Sequence, residues 1–364
     1  MKDIYRLYKE RAGEYIMKEL KHPPTTDRSG PTQRELARMA NVSMTTIYNV
    51  LHQPELVKKE TLDTVRRIMA ECNYHPDALA QAMVRGKSDI IGVMVPRFDI
   101  PYFADMVCCI ERRLSGHNYK CLMIQHDDEP RKAGEAIRVF RQYRVAGIIL
   151  RGCSLSSDRE LAQLAEHLRI PFVLLDEMIL GYENFVVMPA DFSDGENAAR
   201  QLLAMGCRRI GYIGWYRADS EQPGPRFEGA AAALAADGQA LSEMYCPAAS
   251  EYNAGREEVK RLWLRNRTDP PDGVICSNTS IAVNAYCGLR ELGVRVPEDV
   301  KLVGFGELPG SAIFERQLIF TLRHDIERIA GVACETLIDI IESGRLPQQA
   351  ALVPSRLDFG DAAE

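Results

Sequence analysis

Four side chains in one short stretch have the types and the spacing needed to contact nucleic-acid bases. They are Met44, Thr45, Tyr48 and Asn49. A helix over this stretch places them on one face, because they recur at about one helical turn. The face is short and free of carboxylates, so it can hydrogen-bond base edges in a DNA major groove without repelling phosphates. For this stretch alone, the alternative is an ordinary helical hairpin in a core.

Two helices joined by a tight turn would position this face. Thr32 is a predicted N-cap, and Glu35 three residues later completes a capping box. Leu36 and Met39 are predicted to point inward. Residues 40–42 are predicted to form the turn between the helices.

The second helix is predicted to begin after Ser43 as its N-cap, with Ile47, Val50 and Leu51 on its buried side. A third helix is predicted over 59–72. Its apolar residues share one face: Leu62, Val65, Ile68 and Met69.

The composition excludes several classes of protein. Hydrophobic residues make up 46% and charged residues 26%, which is ordinary for a globular chain. No apolar run approaches the roughly 20 residues that span a bilayer. The N-terminus has no apolar signal core, so we expect a cytoplasmic, nucleoid-associated protein. The 10 cysteines form no C-x-x-C pair, and we expect reduced thiols, no metal site and no cofactor.

Catalysis is disfavoured because the motifs that build active sites are missing from the sequence. We find no G-x-S-x-G, H-E-x-x-H, P-loop or dinucleotide fingerprint, and the 7 histidines are scattered. We therefore expect no enzyme.

Charge is distributed unevenly along the chain. The net charge is -6, yet residues 1–88 contain 15 Lys and Arg against 11 Asp and Glu, which is a net of +4. A mildly basic head on an acidic body is typical of a protein that touches DNA with its head.

The pattern of hydrophobicity changes from residue 89 onward. Strand-like apolar runs alternate with helical segments, which predicts parallel sheets with helices on both faces. The runs cover 90–95, 120–125, 146–151, 171–176, 209–215, 272–277 and 300–305.

Residues 42–83 resemble the head of LacI/GalR-family transcriptional regulators from end to end. The shared landmarks are Val42-Ser43, Thr46, Val50-Leu51, Val57, Thr61, Val65 and Tyr74-x-Pro76. PPDGVICSN and VRVPEDVKLVGFGE, further along the chain, are also similar to the family's core.

The resemblance implies an all-α helix-turn-helix head and an α/β core. The core should be periplasmic-binding-protein-like, with two doubly wound parallel-sheet lobes. The implied divisions are an N-terminal extension and linker over 1–31, a helix-turn-helix domain over 32–75, a hinge helix and linker over 76–88, and an effector-binding and dimerisation core over 89–360. The lobes should cover roughly 89–190 and 191–320. The chain should cross back near 321–323, and a helix over 326–342 should return it to the first lobe.

Within the predicted hinge helix, the resemblance implies that Met83 wedges between bases in the minor groove, where Leu is usual. Ala80 is small enough for close backbone approach. The alternative is a mere interdomain linker. The full set of predicted DNA-contacting residues is Thr32, Gln33, Ser43, Met44, Thr45, Thr46, Tyr48, Asn49, His52, Tyr74, Ala80 and Met83.

Three positions in the head depart from the family's usual residues. Asn49 stands where Arg is common, Tyr48 where Ser is frequent and His52 where Asn is usual. Since these positions face DNA, we expect an operator that differs from the usual ones.

Ligands in such cores lie between the lobes, at the carboxyl ends of the strands. The resemblance implies that Arg226 binds effector oxygens with its planar fork. The full set of predicted effector-binding residues is Tyr102, Phe103, Trp215, Arg226, Asn278 and Glu307. The alternative is that Tyr102 and Phe103 simply pack and that Arg226 forms a surface ion pair.

Several polar residues of the family's sugar pockets are replaced here. Thr279 and Gly306 stand where Asp is common, Ile100 replaces Asn, and Phe192 replaces another Asn. A hydroxyl-rich ligand requires fixed hydrogen-bonding groups. The effector is therefore less polar, smaller or absent, and the sequence leaves these three open.

The expected function is sequence-specific regulation of transcription, more often repression. A homodimer should bind a near-palindromic double-stranded operator, and the absence of a heptad extension favours a dimer over a tetramer. A small molecule between the lobes should alter operator affinity through linkage. The alternative is a regulator without small-molecule control, which responds to a protein partner or to its own concentration.

Overall fold

The computed structural model describes residues 31–74, 88–153, 155–176, 178–215, 224–240, 242–246, 254–266, 268–306 and 319–358. The chain divides into two compact units, Met1–Val84 and Arg85–Glu364. The predicted N-terminal extension up to residue 30 lies outside the described residues, as does the predicted hinge helix with Ala80 and Met83.

The first unit contains the predicted three-helix head. The helices are α1 (Gln33–Met39), α2 (Met44–His52) and α3 (Lys59–Glu71), with a short 3-10 turn at Pro54–Leu56. Leu36, Ile47 and Val65, one from each helix, are fully buried against one another. The predicted apolar faces of α2 and α3 are confirmed.

The prediction that Met39 points inward is wrong, because its side chain is 53% exposed. Leu36, Ala37 and Ala40 form the stripe that packs against the head core. Met39 lies about 100° to the side of that stripe on a 3.6-residue helix, and its side chain therefore faces away from the core.

The second unit begins with a lobe of alternating strands and helices, here called the N-terminal lobe. Its elements are β1 (Ile90–Val95), α4 (Pro101–Gly116), β2 (Lys120–Gln125), α5 (Pro130–Gln142), β3 (Gly147–Leu150), α6 (Leu155–His167), β4 (Phe172–Leu175) and β5 (Val186–Pro189).

The C-terminal lobe repeats the pattern. Its elements are α7 (Asp191–Ala204), β6 (Ile210–Trp215), α8 (Pro225–Ala236), β7 (Ser242–Cys246), α9 (Ala254–Arg265), β8 (Gly273–Cys276), α10 (Thr279–Glu291), β9 (Lys301–Phe305) and β10 (Ile319–Arg323). Three elements complete the chain: α11 (Ile326–Ser343), β11 (Ala351–Val353) and β12 (Arg356–Asp358).

Each lobe is built on one six-stranded sheet. The orders are β11-β5-β4-β3-β1-β2 and β12-β10-β9-β8-β6-β7. The strands pair in parallel except for β10 with β12, which is antiparallel. In both sheets the chain reverses direction of winding beside the first strand, and open α/β sheets of this kind bind ligands at the carboxyl ends of their strands. All seven predicted strands and the predicted doubly wound fold are confirmed.

Helices cover both faces of each sheet, which explains why the strands read as continuous apolar runs. In the N-terminal lobe, α4 and α11 cover one face and α5 and α6 cover the other. In the C-terminal lobe, α9 and α10 cover one face and α7 and α8 the other.

The chain passes between the lobes at three places, between β5 and α7, between β10 and α11, and between β11 and β12. The chain was predicted to return to the first lobe near 321–323. It returns just after these residues, because β10 belongs to the second sheet as far as Arg323. The predicted helix over 326–342 is confirmed as α11, which packs against α4 of the N-terminal lobe. The crossing between β11 and β12 was not predicted.

Two glycines bring α7 and α8 into backbone contact. A Cβ on Gly195 of α7 would lie 2.1 Å from the Arg226 carbonyl oxygen, and one on Gly229 of α8 would lie 1.9 Å from the Phe192 carbonyl oxygen. Both distances are far inside van der Waals contact, so this approach requires glycine at both positions. The contact holds the first turns of the two helices, with Asp191 and Arg226, side by side.

None of the described helices is long and apolar enough to cross a membrane.

Candidate DNA-binding face and ligand cleft

The N-terminus of α1 is fixed by the predicted capping box. The Thr32 backbone N–H donates to Glu35 Oε2 at 2.7 Å, and the Glu35 N–H donates to Thr32 Oγ1 at 3.3 Å. The Thr32 hydroxyl also donates to Glu35 Oε2, at 2.9 Å. The hydrogen bonds from the Thr32 amide and hydroxyl favour the charged carboxylate and lower the pKa of Glu35. The turn that follows places Asn41 at φ 50, in the left-handed region that asparagine tolerates.

Ser43 caps α2 as predicted. The Thr46 N–H donates to Ser43 Oγ at 3.0 Å, and the two hydroxyl oxygens lie 2.9 Å apart. This cap satisfies one of the free amides at the start of the helix and fixes the angle at which α2 leaves the turn.

The predicted base-reading face of α2 is exposed. Met44 and Tyr48 are 46% and 41% exposed, Thr45 is exposed and Asn49 is half-buried. The first turn contains no acidic residue. The Tyr48 ring lies 4.6 Å from the His52 ring, centroid to centroid, so these two residues form one continuous surface. Nothing on this face would repel a phosphate backbone.

The other predicted DNA-contacting residues divide into two groups. Thr32 is exposed and Gln33 is half-buried at the start of α1. The one acidic residue in the first turn of α1 is Glu35, which is engaged in the capping box. Tyr74 packs partly against the head core.

In the N-terminal lobe, a partly buried hydrogen bond joins Tyr102 to Asp176. Tyr102 lies in the first turn of α4, and Asp176 directly follows β4 with φ 66. The tyrosine hydroxyl donates to Asp176 Oδ1 at 2.6 Å. Burial raises the pKa of Asp176 to about 6 and also raises the pKa of Tyr102. A carboxyl group so placed can act as donor or acceptor near neutral pH.

Arg226 is the most heavily hydrogen-bonded side chain of the C-terminal lobe's site. Its Nε and Nη2 lie 2.9 and 2.8 Å from Asp191 Oδ1, and its Nη1 donates to the Ser277 carbonyl oxygen at 2.6 Å. The guanidinium carbon lies 4.7 Å from the centre of the Phe305 ring. Burial is the largest single influence and by itself would lower the pKa of Arg226, but Asp191, Tyr212 and Asp194 together outweigh it and the pKa is raised.

His324 extends this network to the crossing between β10 and α11. Its Nε2 lies 3.2 Å from Arg226 Nη2, and its Nδ1 lies 2.9 Å from Ser355 Oγ. A guanidinium can only donate, so Nε2 accepts and Nδ1 carries the proton. Burial, with the nearby guanidinium, lowers the pKa of His324 to about 3.

Ser355 completes the network at the crossing between β11 and β12. Its hydroxyl and its backbone N–H donate to the two carboxylate oxygens of Asp194, and Asp194 is fully buried. Asp191, His324 and Ser355 stand on the three crossings between the lobes. One continuous set of hydrogen bonds therefore spans all three.

The remaining predicted cleft residues differ in what they contact. Phe103 packs against the N-terminal lobe core, with its ring 5.2 Å from that of Tyr102. Asn278 caps α10, and its Oδ1 accepts from the Ile281 N–H at 2.8 Å. Trp215 is the last residue of β6, and Glu307 lies outside the described residues.

Two departures from the family pattern have structural explanations. The Thr279 hydroxyl is buried and lies 3.0 and 2.6 Å from the carbonyl oxygens of Phe305 and Gly306, so it holds the end of β9. Gly306 has φ 87, a conformation that favours glycine over aspartate.

Sequence reasoning missed Asp176, Asp194, His324 and Ser355 as site residues. Asp176 and His324 each follow a strand at its carboxyl end, which was the available signal. Asp194 and Ser355 are 161 residues apart, and no local pattern pairs them.

The chain has a helix-turn-helix head with an exposed, carboxylate-free helix face, and two doubly wound lobes with a polar network at their crossings. These features define the class of DNA-binding regulators with a periplasmic-binding-protein-like core. Residues 32–77 match "Bacterial regulatory proteins, lacI family", and residues 199–362 match "Periplasmic binding protein-like domain".

Comparison with known proteins gives the same class. The chain is 30% identical over 308 residues to the transcriptional regulator GalS of Salmonella typhimurium, covering 84% of this chain and 88% of GalS. It is 27% identical over 337 residues to the transcriptional repressor PurR of Klebsiella pneumoniae, covering 90% and 95%.

The crystal structure of the Lac repressor dimer bound to operator and the anti-inducer ONPF has a similar fold, with a TM-score of 0.77 at 19% identity, covering 90% of this chain and 98% of that one. The protein belongs to the LacI family of bacterial regulatory proteins.

Proposed function

We propose that this protein is a sequence-specific DNA-binding transcriptional regulator that represses its target genes. The observation that carries the proposal is the exposed, carboxylate-free face of α2, fixed by the Ser43 cap in a head that matches the family. We infer that the protein works on the nucleoid in the cytoplasm, and we assign it no catalytic role.

Two heads of a homodimer would read the half-sites of a near-palindromic operator in the major groove. The contacts that we propose for α2 come from Met44, Thr45, Thr46, Tyr48, Asn49 and His52. Thr32, Gln33, Ser43 and Tyr74 would contact the DNA around them. Ala80 and Met83 would enter the minor groove at the operator centre.

Selection of bound DNA from a random duplex pool tests this function. We expect the full-length protein to enrich a near-palindrome of roughly 14 to 20 base pairs. Tyr48→Ala should change or abolish the enriched motif. Glu71→Gln, on the exposed end of α3, is the matched control and should leave it unchanged. Enrichment of no motif, with or without a metabolite extract, would contradict sequence-specific binding.

We further propose that a small molecule bound between the lobes controls operator affinity. Three polar side chains lie close enough for each to affect the pKa of another: Tyr102, Asp176 and Arg226. They offer a ligand a hydroxyl, a titratable carboxyl and a guanidinium, respectively. Phe103, Trp215, Asn278 and Glu307 belong to the proposed cleft by position. Binding there would move the lobes relative to each other and so change the DNA-bound dimer.

A second candidate function is a regulator without small-molecule control. The observation that favours it is the engagement of Arg226, whose three nitrogens all have partners within the protein: Asp191, the Ser277 carbonyl oxygen and His324. A ligand that used this guanidinium would have to displace one of them. Such a regulator would respond to a protein partner or to its own concentration.

Thermal unfolding against a panel of metabolites separates the two functions. A ligand at 100 times its Kd should stabilise the protein by about 2.7 kcal/mol. A hit that also shifts operator affinity supports small-molecule control. A panel without a reproducible hit, together with operator binding that needs no added ligand, supports the second function.

A further inference from the structure

A cysteine and a histidine meet at the carboxyl edge of the N-terminal lobe's sheet. His126 directly follows β2, and Cys153 lies shortly after β3, on the other side of β1. The Cys153 Sγ lies 3.2 Å from His126 Nδ1. This is hydrogen-bond distance for a thiol and an imidazole nitrogen.

The protein fixes which imidazole nitrogen carries the proton. His126 Nε2 lies 2.9 Å from the Arg151 carbonyl oxygen. Because a carbonyl oxygen only accepts, Nε2 carries the hydrogen and Nδ1 presents its lone pair to the thiol. His126 is fully buried, so the ring cannot turn away into solvent.

The surroundings keep this imidazole neutral, so Nδ1 has a free lone pair, and the same lowered pKa makes the ring a weaker base than a free histidine. Burial lowers the pKa of His126, and the charge of Arg151 lowers it further. Asp127 and Asp128 act in the opposite direction and would stabilise a transient imidazolium. The pair thus has the arrangement of a nucleophile and its base, with the base oriented by a third group.

The Cys153 side chain has apolar residues on one side and the polar imidazole of His126 on the other. Cys153 is half-buried and packs against the apolar core beneath α5 and α6. Cys72, Cys109 and Cys121 are also half-buried, whereas Cys207, Cys276 and Cys334 are buried and Cys108 and Cys287 are exposed on helices. A flat, weakly polar reagent suits the Cys153 environment better than a charged one.

We propose that Cys153 is a site of covalent modification by soft carbon electrophiles of the α,β-unsaturated carbonyl class, with His126 as its base. His126 Nδ1 takes the thiol proton while the sulfur forms a bond to the β-carbon of the electrophile. The electron pair of the carbon–carbon double bond moves to give an enolate. The imidazolium proton then returns to the enolate carbon, so the reaction is a net addition and needs no oxidant.

N-ethylmaleimide, which is itself an unsaturated dicarbonyl compound, tests the proposal on the full chain. The protein is treated with less than one equivalent, samples are quenched over time, and each cysteine peptide is quantified by mass spectrometry. Cys108 and Cys287 are internal controls, since both are more exposed than Cys153. We expect Cys153 to react about tenfold or more faster than either control, which is less than the roughly 100-fold or more that a positioned base provides, because Cys153 is less exposed than the controls.

His126→Gln is the matched variant. A glutamine amide can still donate to the Arg151 carbonyl oxygen, but it offers no basic nitrogen to the sulfur. We expect the labelling of Cys153 to slow about tenfold, while Cys108 and Cys287 react as before. Cys153→Ser should remove the fast adduct.

Two results would overturn the proposal. One is labelling of Cys153 no faster than that of the exposed controls. The other is a fast Cys153 that reacts equally well in folded His126→Gln protein. If that variant does not fold, the comparison of the three cysteines in the native protein decides alone, because it needs no substitution.

Discussion

The contact between α7 and α8 gives the sharpest test of how the site is positioned. In Gly229→Ala, the new Cβ would lie 1.9 Å from the Phe192 carbonyl oxygen and 3.0 Å from the Glu196 amide nitrogen. Both neighbours are backbone atoms of α7, so neither can turn aside. The two helices would have to separate by more than about 1 Å to restore normal contact.

The size of the effect follows from two opposing contributions. Alanine in a helix interior gains about 1 kcal/mol over glycine. Overpacking of a core costs typically about 1–3 kcal/mol, and more where backbone must move. We place Gly229→Ala at the upper end and expect a net loss of about 2 kcal/mol in the free energy of unfolding.

Gly331→Ala is the matched control. Gly331 lies within α11, and a Cβ there would meet nothing within 4 Å. This variant should gain up to about 1 kcal/mol from helix propensity alone. Thermal and urea unfolding of both variants beside the wild type would measure the contrast.

Gly229→Ala should also weaken ligand response, because Arg226 lies one turn earlier on the same helix and would move away from Asp191. A Gly229→Ala protein as stable as the wild type would refute the close approach of α7 and α8. The position of Arg226 would then not depend on the contact between the two helices.

Three further predictions concern the head and the network. Asn49→Ala should cost about 1–3 kcal/mol in operator affinity and relax base preference at one position, since a good bidentate base contact is worth that much. Competition binding with single-base variants of the selected operator measures this change. A uniform loss of affinity across all sequences would contradict base reading by Asn49. Arg226→Ala should abolish the effector response while leaving basal operator affinity within about twofold. Loss of DNA binding in the absence of effector would show that the guanidinium stabilises the lobe and does not bind the ligand. His324 has a native pKa of about 3, below its unfolded value near 6.5. Its contribution to stability is therefore present above pH 6.5. That contribution is lost as pH falls toward 3, at about 1.4 kcal/mol per pH unit. Between pH 7 and pH 4.5, wild type should therefore lose about 2.5 kcal/mol more unfolding free energy than His324→Gln, and equal losses would exclude an imidazole that the fold keeps neutral.

The sequence alone determined the features that depend on neighbours in the chain. Capping at Thr32 and Ser43 could be predicted because an N-cap bonds an amide three residues away. The seven buried strands could be predicted because a strand covered on both faces is a continuous apolar run. The exposed face of α2 followed from helical periodicity in the same way.

Short and edge elements were beyond this reasoning. β7 is an edge strand of its sheet, and β11 and β12 have three residues each, too few to show a period. Met39 was misassigned because α1 has seven residues and its apolar stripe is set by what α2 and α3 present to it. In each case the partner in space, and not the local pattern, decided the outcome.

Tertiary structure alone decided the cleft. Tyr102 and Asp176 are 74 residues apart, and Arg226 and His324 are 98 apart. Their contacts exist because parallel strands bring their carboxyl ends to one edge and because the chain crosses between the lobes three times. The resemblance to the family pointed to Arg226. It did not show that this side chain is already hydrogen-bonded to Asp191, the Ser277 carbonyl oxygen and His324. Hydrogen bonds between such distant residues depend on the packing of whole helices and sheets, which no local run of sequence encodes.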